Sequence, residues 1–148
     1  MRILIMVFCL PLLLQADEKK ADIFANPKAM ISVEAANWTV DGVAVGDARS
    51  TIDPSRIKEK TVLRGKVRTL YHKNDKLYYE ITDGRVTRIV IYNVAKELGI
   101  KRASEIENVF GEADSSRTED EGVYFRYNKK NLTVEWFGSS VIILWGAE

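Results

Sequence analysis

Two segments of this chain repeat one another at an offset of 55 residues. Residues 77–86 are Leu-Tyr-Tyr-Glu-Ile-Thr-Asp-Gly-Arg-Val, and residues 132–141 are Leu-Thr-Val-Glu-Trp-Phe-Gly-Ser-Ser-Val. Leucine, glutamate and valine recur in register, and apolar residues match Tyr79 and Ile81. Self-similarity at a fixed period identifies the building block of a fold. The pattern predicts two tandem copies of one unit; the alternative is that two β-meanders share alternating apolar residues and turn glycines by chance.

Each copy contains short runs rich in β-branched and aromatic residues, and such runs predict strands. The predicted strands are residues 62–72, 77–82 and 86–92 in the first copy, and residues 123–127, 132–137 and 141–145 in the second. Turn residues at positions 73–76 and 83–84 separate the first three runs. Each copy is therefore predicted to be an antiparallel meander.

A helical segment is predicted ahead of each meander. In the second copy, residues 104–110 carry apolar side chains at helical spacing, and Gly111 fits the position just after a helix. In the first copy, Asp53-Pro54 suits a helix start within residues 46–60. The repeat therefore includes a helix as well as the strands.

The first copy also has β signals upstream of its helix. Residues 30–36 alternate well enough for a strand, and residues 38–45 flank Asp41-Gly42, which is a hairpin turn signal. A short helical segment cannot cover the apolar face of its sheet alone, and a second unit beside it would bury more of that face. We expect an α+β fold of two tandem units, residues 30–93 and 94–148, each a short helical segment packed on a three- to four-stranded antiparallel sheet.

The segment ahead of Asp17 has the pattern of a secretory signal peptide. Arg2 gives a positive start, residues 3–14 are mainly apolar, and a small-residue cleavage site follows Ala16. The apolar run is shorter than the roughly 18 to 20 residues that span a bilayer, which disfavours a membrane anchor. We predict export to the periplasm or the medium, with residues 17–29 as a flexible arm.

The single cysteine of the chain, Cys9, lies within this signal segment. Bacterial lipoproteins are cut before a cysteine at the end of the apolar region, whereas Cys9 lies in its middle and follows the bulky Phe8. Lipidation is therefore disfavoured. The mature chain has no cysteine, which excludes a disulfide framework, a thiolate nucleophile and a Cys-ligated metal.

Charge is balanced in the mature chain. The whole sequence has 22 Lys and Arg against 21 Asp and Glu, and the signal segment holds one arginine and no acid, which leaves 21 of each sign. A nucleic-acid partner would call for a basic face, and the short basic clusters here have acids nearby. We expect no nucleic-acid partner.

The residue types that carry catalysis are sparse. His72 is the only histidine, so a His-pair metal site is excluded, and its place at a strand end suggests a surface position. The known nucleophile, metalloprotease and phosphate-binding motifs are absent from the sequence. Glu80 and Glu135 occupy equivalent places in the two copies and suggest a carboxylate pair for glycoside hydrolysis, although duplication alone explains that equivalence. We expect no enzyme, cofactor or metal.

Residues 98–113, with the aromatic strands at 124–125 and 134–137, resemble the glycine-turn, helix and meander pattern of the BamE/SmpA and β-lactamase-inhibitory-protein superfamily. Ala113 stands near the place where the family often has proline. The resemblance implies a non-catalytic envelope or secreted protein whose sheet binds another protein. Single-repeat members assist outer-membrane protein assembly, and tandem-repeat members include enzyme inhibitors.

Strand alternation assigns side chains to the two faces of the sheet. Residues 77, 79 and 81, with 132, 134 and 136, are expected to face the core. The residues between them, with neighbours on adjacent strands, are expected on an open face. The predicted partner-binding residues there are Tyr78, Glu80, Arg88, Tyr92, Tyr124, Arg126, Glu135 and Phe137. Tyr, Phe and Arg often anchor protein interfaces, but cross-strand packing on a half-wet sheet would use the same residues.

The strand at residues 141–145 is apolar on both faces. This pattern predicts burial on both sides, coverage by the arm, or an edge used in a homodimer. Three functions follow from the sequence: a protein-binding module that includes enzyme inhibition, an envelope scaffold that uses the arm and an edge strand, and a small glycoside hydrolase. The first is favoured.

Overall fold

The computed structural model describes residues 20–119 and 122–146, with the backbone only for Lys60. The predicted signal peptide, its cleavage site and Cys9 lie outside the described residues. The strands are β1 Ala21–Asp22, β2 Trp38–Thr39, β3 Ile57–Arg64, β4 Val67–His72, β5 Leu77–Thr82, β6 Arg85–Ile91, β7 Ser115–Glu119, β8 Gly122–Tyr127, β9 Leu132–Phe137 and β10 Ser140–Gly146. The α-helices are α1 Ala29–Ser32, α2 Ala95–Leu98 and α3 Ile106–Phe110.

One eight-stranded antiparallel sheet dominates the structure. Its strand order is β3-β4-β5-β6-β10-β9-β8-β7. Strands β3 to β6 form one meander and β7 to β10 form another, and the two meet where β6 pairs with β10. Strands β1 and β2 form a separate parallel pair. The predicted α+β class with an antiparallel sheet is confirmed.

Most strand predictions are confirmed. The bounds of β5 and β9 coincide with the predicted residues 77–82 and 132–137. Strand β8 differs from the prediction by one residue at one end, and β6 and β10 differ by one residue at each end. The single strand predicted over residues 62–72 is wrong. That stretch belongs to a hairpin of β3 and β4, because Gly65 adopts a φ of 58° and turns the chain. Glycine tolerates this left-handed region, which other residues rarely adopt.

Strand β7 was not predicted. All five of its residues are exposed, and its sequence Ser-Ser-Arg-Thr-Glu has no apolar alternation. Among the described strands it pairs only with β8 and forms one edge of the sheet, while β3 forms the other. A polar, charged edge strand resists pairing with other chains. Edge position and polarity together explain why the sequence pattern missed it.

Strand β10 lies in the interior of the sheet, between β6 and β9. The suggestion that residues 141–145 form a dimer edge is therefore wrong. Val141, Ile143 and Trp145 face the core and are at most 6 % exposed. Ile142 and Leu144 are half-buried on the other face. The apolar character of both faces follows from this central position.

The described part of the N-terminal segment packs against the rest of the fold. Ile23 is fully buried in the core, and its backbone N–H donates to the Thr39 carbonyl at 2.8 Å. Asp22 accepts hydrogen bonds from the backbone N–H groups of Phe24 and Asp41. Residues 20–29 therefore differ from the flexible arm predicted over residues 17–29. A single buried isoleucine and an aspartate acting on turn N–H groups leave little periodic signal in the sequence.

The strand predicted over residues 30–36 is wrong. This stretch holds the end of α1 and a 3₁₀ turn over Ala35–Asn37. Met30 is 1 % exposed and its neighbour Ile31 is 51 % exposed. Buried and exposed residues therefore follow one another here as they do in a strand, although the backbone is helical. The hairpin predicted over residues 38–45 forms as a tight turn, since Val40 and Val43 pair across Asp41-Gly42.

The core lies on one face of the eight-stranded sheet. Short helical elements cover that face, with Ile106 and Phe110 of α3 at most 4 % exposed. Gly111 follows α3 with a φ of 88°, as predicted for the end of a helix. The helix predicted within residues 46–60 is reduced to two 3₁₀ turns, Arg49–Thr51 and Pro54–Arg56. Within the described ranges, every helix is too short or too polar to cross a bilayer.

Candidate protein-binding face

The face of the eight-stranded sheet opposite the core, termed the open face, is in contact with solvent. Along β5, Leu77, Tyr79 and Ile81 are at most 4 % exposed, whereas the residues between them are half-buried. The same alternation holds on β8, where Tyr124 and Arg126 lie on the open face. The predicted division of β5 and β8 between two faces is confirmed.

Three tyrosines of the first meander, Tyr71, Tyr78 and Tyr92, are neighbours on this face and are termed the tyrosine cluster. The ring centroids of Tyr71 and Tyr78 are 5.6 Å apart, and those of Tyr78 and Tyr92 are 5.7 Å apart. Tilted aromatic pairs at such distances are favourable contacts. The cluster borders a groove of about 310 Å³ that also contains Val62, Arg64, Val67, Thr69 and Glu80.

Val90 shows how closely the open-face side chains of the first meander pack. It stands opposite Tyr78 in the register of β5 and β6, and its neighbours Ile89 and Ile91 face the core. Val90 is nevertheless only 1 % exposed. Burial also raises the pKa of Tyr78 and of Tyr92. The tyrosine cluster is thus a packed surface rather than a set of loose side chains.

Glu80 and Arg88 form an ion pair on the open face. Arg88 Nη1 lies 3.4 Å from Glu80 Oε2, and the two residues are cross-strand partners. Both side chains are largely buried, at 21 % exposure for Glu80 and 17 % for Arg88. Such a pair fixes the direction of the arginine on this part of the face.

The second meander carries a groove of about 370 Å³, termed the arginine groove. It is lined by Ser115, Ser116, Arg117, Tyr124, Arg126 and Thr133. Arg126 Nη1 donates to Thr133 Oγ1 at 2.8 Å, and Arg126 Nε donates to Asn128 Oδ1 at 3.3 Å. The Arg117 guanidinium lies 4.8 Å from the centre of the Tyr124 ring, a cation–π contact.

A single cross-strand row joins the tyrosine cluster to the arginine groove. Each member is the register partner of the next, from strand β4 to strand β7. The row consists of Tyr71, Tyr78, Val90, Leu144, Thr133, Arg126 and Ser115. The open face is therefore continuous across both meanders.

The remaining two predicted residues lie on β9. Glu135 is half-buried between its register partners Tyr124 and Ile142. Phe137 is 44 % exposed at the end of the strand, opposite Gly122 and outside both grooves. The structure thus places Tyr78, Glu80, Arg88 and Tyr92 together on one half of the open face, and Tyr124, Arg126 and Glu135 on the other.

Sequence reasoning missed Tyr71, Val90 and Arg117 of this face, and it placed Thr133 on the open face without naming it as a binding residue. Tyr71 lies on the same face of β4 as Thr69, two residues before it. Had the turn at Gly65 been predicted, the alternation along β4 would have placed Tyr71 on the open face. Arg117 required knowledge of β7. Val90 and Thr133 look like ordinary strand residues, and only their burial at 1 % and 7 % marks them as part of a packed face.

The surface position suggested for His72 is wrong. Its side chain lies on the core side of β4, in phase with Leu70, and the residue is 8 % exposed. Its Nε2 lies 3.4 Å from Asp41 Oδ2, and its Nδ1 accepts a hydrogen bond from the Asn74 N–H at 3.2 Å. The histidine therefore links the β4–β5 turn to the tight turn at Asp41 rather than lining the open face.

Among the described residues, His, Asp and Glu side chains form no group of three or more that could hold a metal ion. A comparison with models of protein families, with curated proteins and with solved structures found no match. The resemblance to the BamE/SmpA and β-lactamase-inhibitory-protein superfamily stays a prediction.

Proposed function

We propose that this chain is an exported, non-catalytic protein that binds a protein partner through the open face. The observation that carries the proposal is the packed tyrosine cluster, in which Tyr78 stands opposite the buried Val90 while the three rings remain half-buried or exposed to solvent. Rigid tyrosines provide large contact area at low conformational cost. The face is continuous with a second half rich in arginine, the other residue type enriched at interface hot spots.

The order of this face supports binding rather than simple solvation. Ordering flexible side chains on association costs about 0.5 to 1.5 kcal/mol for each long side chain. Here Tyr78 already packs against Tyr71 and Tyr92, and Arg126 is already held by Thr133 and Asn128. A partner would therefore meet side chains that have lost much of their freedom in the free protein.

A duplicated unit is part of the proposal. Strands β4, β5 and β6 begin at residues 67, 77 and 85, and strands β8, β9 and β10 begin 55 residues later, at 122, 132 and 140. This spacing supports two copies of one meander. The superfamily resemblance then favours the tandem-repeat type, which includes enzyme inhibitors, and inhibition of an enzyme is our specific form of the proposal.

Two geometric arguments weigh against the alternatives. The scaffold function relied on a free arm and on an edge at residues 141–145, but residues 20–29 pack in the fold and β10 is interior. The hydrolase function needs two carboxyl groups about 5 to 9.5 Å apart. Glu80 and Glu135 lie on β5 and β9, which are three strand spacings, or about 14 Å, apart.

The proposal is tested by capture of partners from native envelope extract and culture medium, read by mass spectrometry. We expect the wild-type chain to enrich a protein that the double variant Tyr78→Ala, Phe137→Ala does not retain, because both aromatics are removed from the open face. Ile31→Ala is the control, since it removes a 51 % exposed apolar side chain from α1. Equal capture by wild type and double variant would contradict the proposal.

A further inference from the structure

We infer that the arginine groove receives an aspartate or glutamate side chain from a loop of the partner protein. This inference rests on the proposed function and specifies the chemistry of one part of the open face. The tyrosine cluster would supply apolar contact area, and the arginine groove would supply a charged anchor at the opposite end of the same cross-strand row.

The donors in this groove are oriented before any ligand arrives. Arg126 is half-buried, and it donates hydrogen bonds to two neutral oxygens, Thr133 Oγ1 and Asn128 Oδ1. A guanidinium has five N–H donors in a rigid fork, and those two contacts use two of them. The remaining edge of the fork suits a carboxylate, which accepts paired hydrogen bonds from arginine.

The charge of the lining also favours an acidic group. Among the described residues, the lining contains two guanidinium groups and four hydroxyl groups, and no carboxylate. Arg117 contacts Glu119 at 3.1 Å, but both side chains are more than half exposed, and pairs of this kind contribute little. In the other half of the face, by contrast, Arg88 is paired with the largely buried Glu80. The arginine groove therefore brings two guanidinium groups together, of which only the exposed Arg117 is recognised in an ion pair with Glu119.

The surrounding residues favour a protein loop over a polyanion. Nucleic acid requires a track of basic groups along its backbone. On this face Glu80, Glu119 and Glu135 interrupt any such track, and the mature sequence has equal numbers of basic and acidic residues. One localised arginine groove on the same face as the tyrosine cluster fits a single acidic side chain within a larger contact.

The test is a selection of disulfide-closed random peptide loops, displayed on phage, against the immobilised mature chain. We expect the loops enriched by the wild-type chain to carry Asp or Glu, and those enriched by the double variant Arg117→Glu, Arg126→Glu to carry Lys or Arg instead. Lys28→Glu with Lys96→Glu is the control, because it makes the same change in net charge at exposed positions on α2 and beside α1. It should keep the wild-type preference.

Affinity measurements then locate the contact. For an acidic loop selected on the wild type, Arg126→Gln should weaken binding roughly tenfold to a hundredfold, the usual effect of losing a charge-assisted hydrogen bond. Circular dichroism confirms that each variant is folded, and Arg126→Gln serves if the charge-reversed variant is not. Displacement of the loop by inorganic phosphate, with no preference for acidic residues in the selection, would indicate a general anion site and overturn the inference.

The outcomes separate the inference from the proposed function. Loops that bind and are lost on Tyr78→Ala with Tyr92→Ala, but show no acidic preference, overturn the carboxylate anchor and leave the open face as the binding surface. Failure to enrich any loop sensitive to those tyrosine changes contradicts the proposed function itself.

Discussion

Gly146 sets the approach of the two meanders. It pairs with Arg88 across the β6–β10 junction and adopts a φ of 126°, in the region that favours glycine. A Cβ at this position would lie 2.1 Å from the Thr87 carbonyl oxygen and 2.8 Å from Arg88 Cα. Any larger residue must therefore displace the backbone of β6.

Gly146→Ala is expected to lower the free energy of unfolding by about 3 kcal/mol, because backbone strain adds to a steric clash. The control is Gly138→Ala, at a φ of 61° with open space around the added methyl group, which should cost about 1 kcal/mol. Urea unfolding measures both. Equal losses would show that the close approach of β6 and β10 is not the cause.

Buried tyrosines make stability depend on alkaline pH. Burial raises the pKa of Tyr127 to about 12, with the nearby Glu107 carboxylate adding to the effect. Burial also raises the pKa of Tyr78 and of Tyr79. Because these pKa values exceed those of the unfolded chain, the stability they contribute is present below pH 10 and is lost as the pH rises through 12.

We therefore expect the free energy of unfolding to fall between about pH 10 and pH 12, the interval set by the ordinary and raised pKa values of Tyr127. Urea titrations at several pH values, with tyrosinate absorbance recorded on the same samples, measure the effect. Tyr127→Phe should make the decline shallower. A free energy of unfolding that stays constant while tyrosinate forms would contradict the assignment.

Among the elements, the short N-terminal segment contributes more to the fold than its length suggests. Ile23 lies in the same core as the strands of both meanders, and β1 pairs with β2 beside it. Two residues of strand and the irregularly spaced buried residues Ile23, Pro27 and Ala29 do not produce a period that sequence analysis can detect. Its packing depends on tertiary contacts with Thr39 and Asp41.

Ile23→Ala should destabilise the protein by about 2 to 5 kcal/mol, as large-to-small changes in a core do. The matched change Ile31→Ala, at a side chain that is 51 % exposed, should alter the free energy of unfolding by less than about 0.5 kcal/mol. Thermal or urea unfolding separates the two. A similar, small effect at both positions would mean that residues 20–29 behave as a flexible arm.

Sequence periodicity predicted the strands that are buried on one face and failed elsewhere, for physical reasons. Strand β5 alternates between buried and half-buried residues because one of its faces meets the core. Strand β9 departs from this alternation, since Thr133 is buried and Trp136 is only half-buried.

Neither face of strand β7 meets the core, so its sequence does not alternate. The turn between β3 and β4 was not predicted because it occupies only two residues, Gly65 and Lys66. The helix expected near Asp53 is only a 3₁₀ turn. Asp53 accepts a hydrogen bond from the Ser55 N–H at its start, where Asp53-Pro54 predicted the start of a helix.

Across the whole molecule, the pairing of β6 with β10 creates one open face from two meanders. All eight predicted binding residues come from alternation within single strands, which needs no knowledge of strand order. The row that links Tyr78 to Arg126 depends on the β6–β10 junction, which the sequence does not reveal. That is why the extent of the face emerged only from the structure.

The most direct test of the central claim is the affinity of the captured partner for matched variants, measured by isothermal titration calorimetry. We predict that Tyr78→Ala with Tyr92→Ala raises the Kd at least about tenfold, since truncation of a hot-spot residue costs about 2 kcal/mol or more. Ile31→Ala should leave the Kd unchanged. Equal Kd values for the tyrosine variant and the wild type would contradict a binding function for the open face.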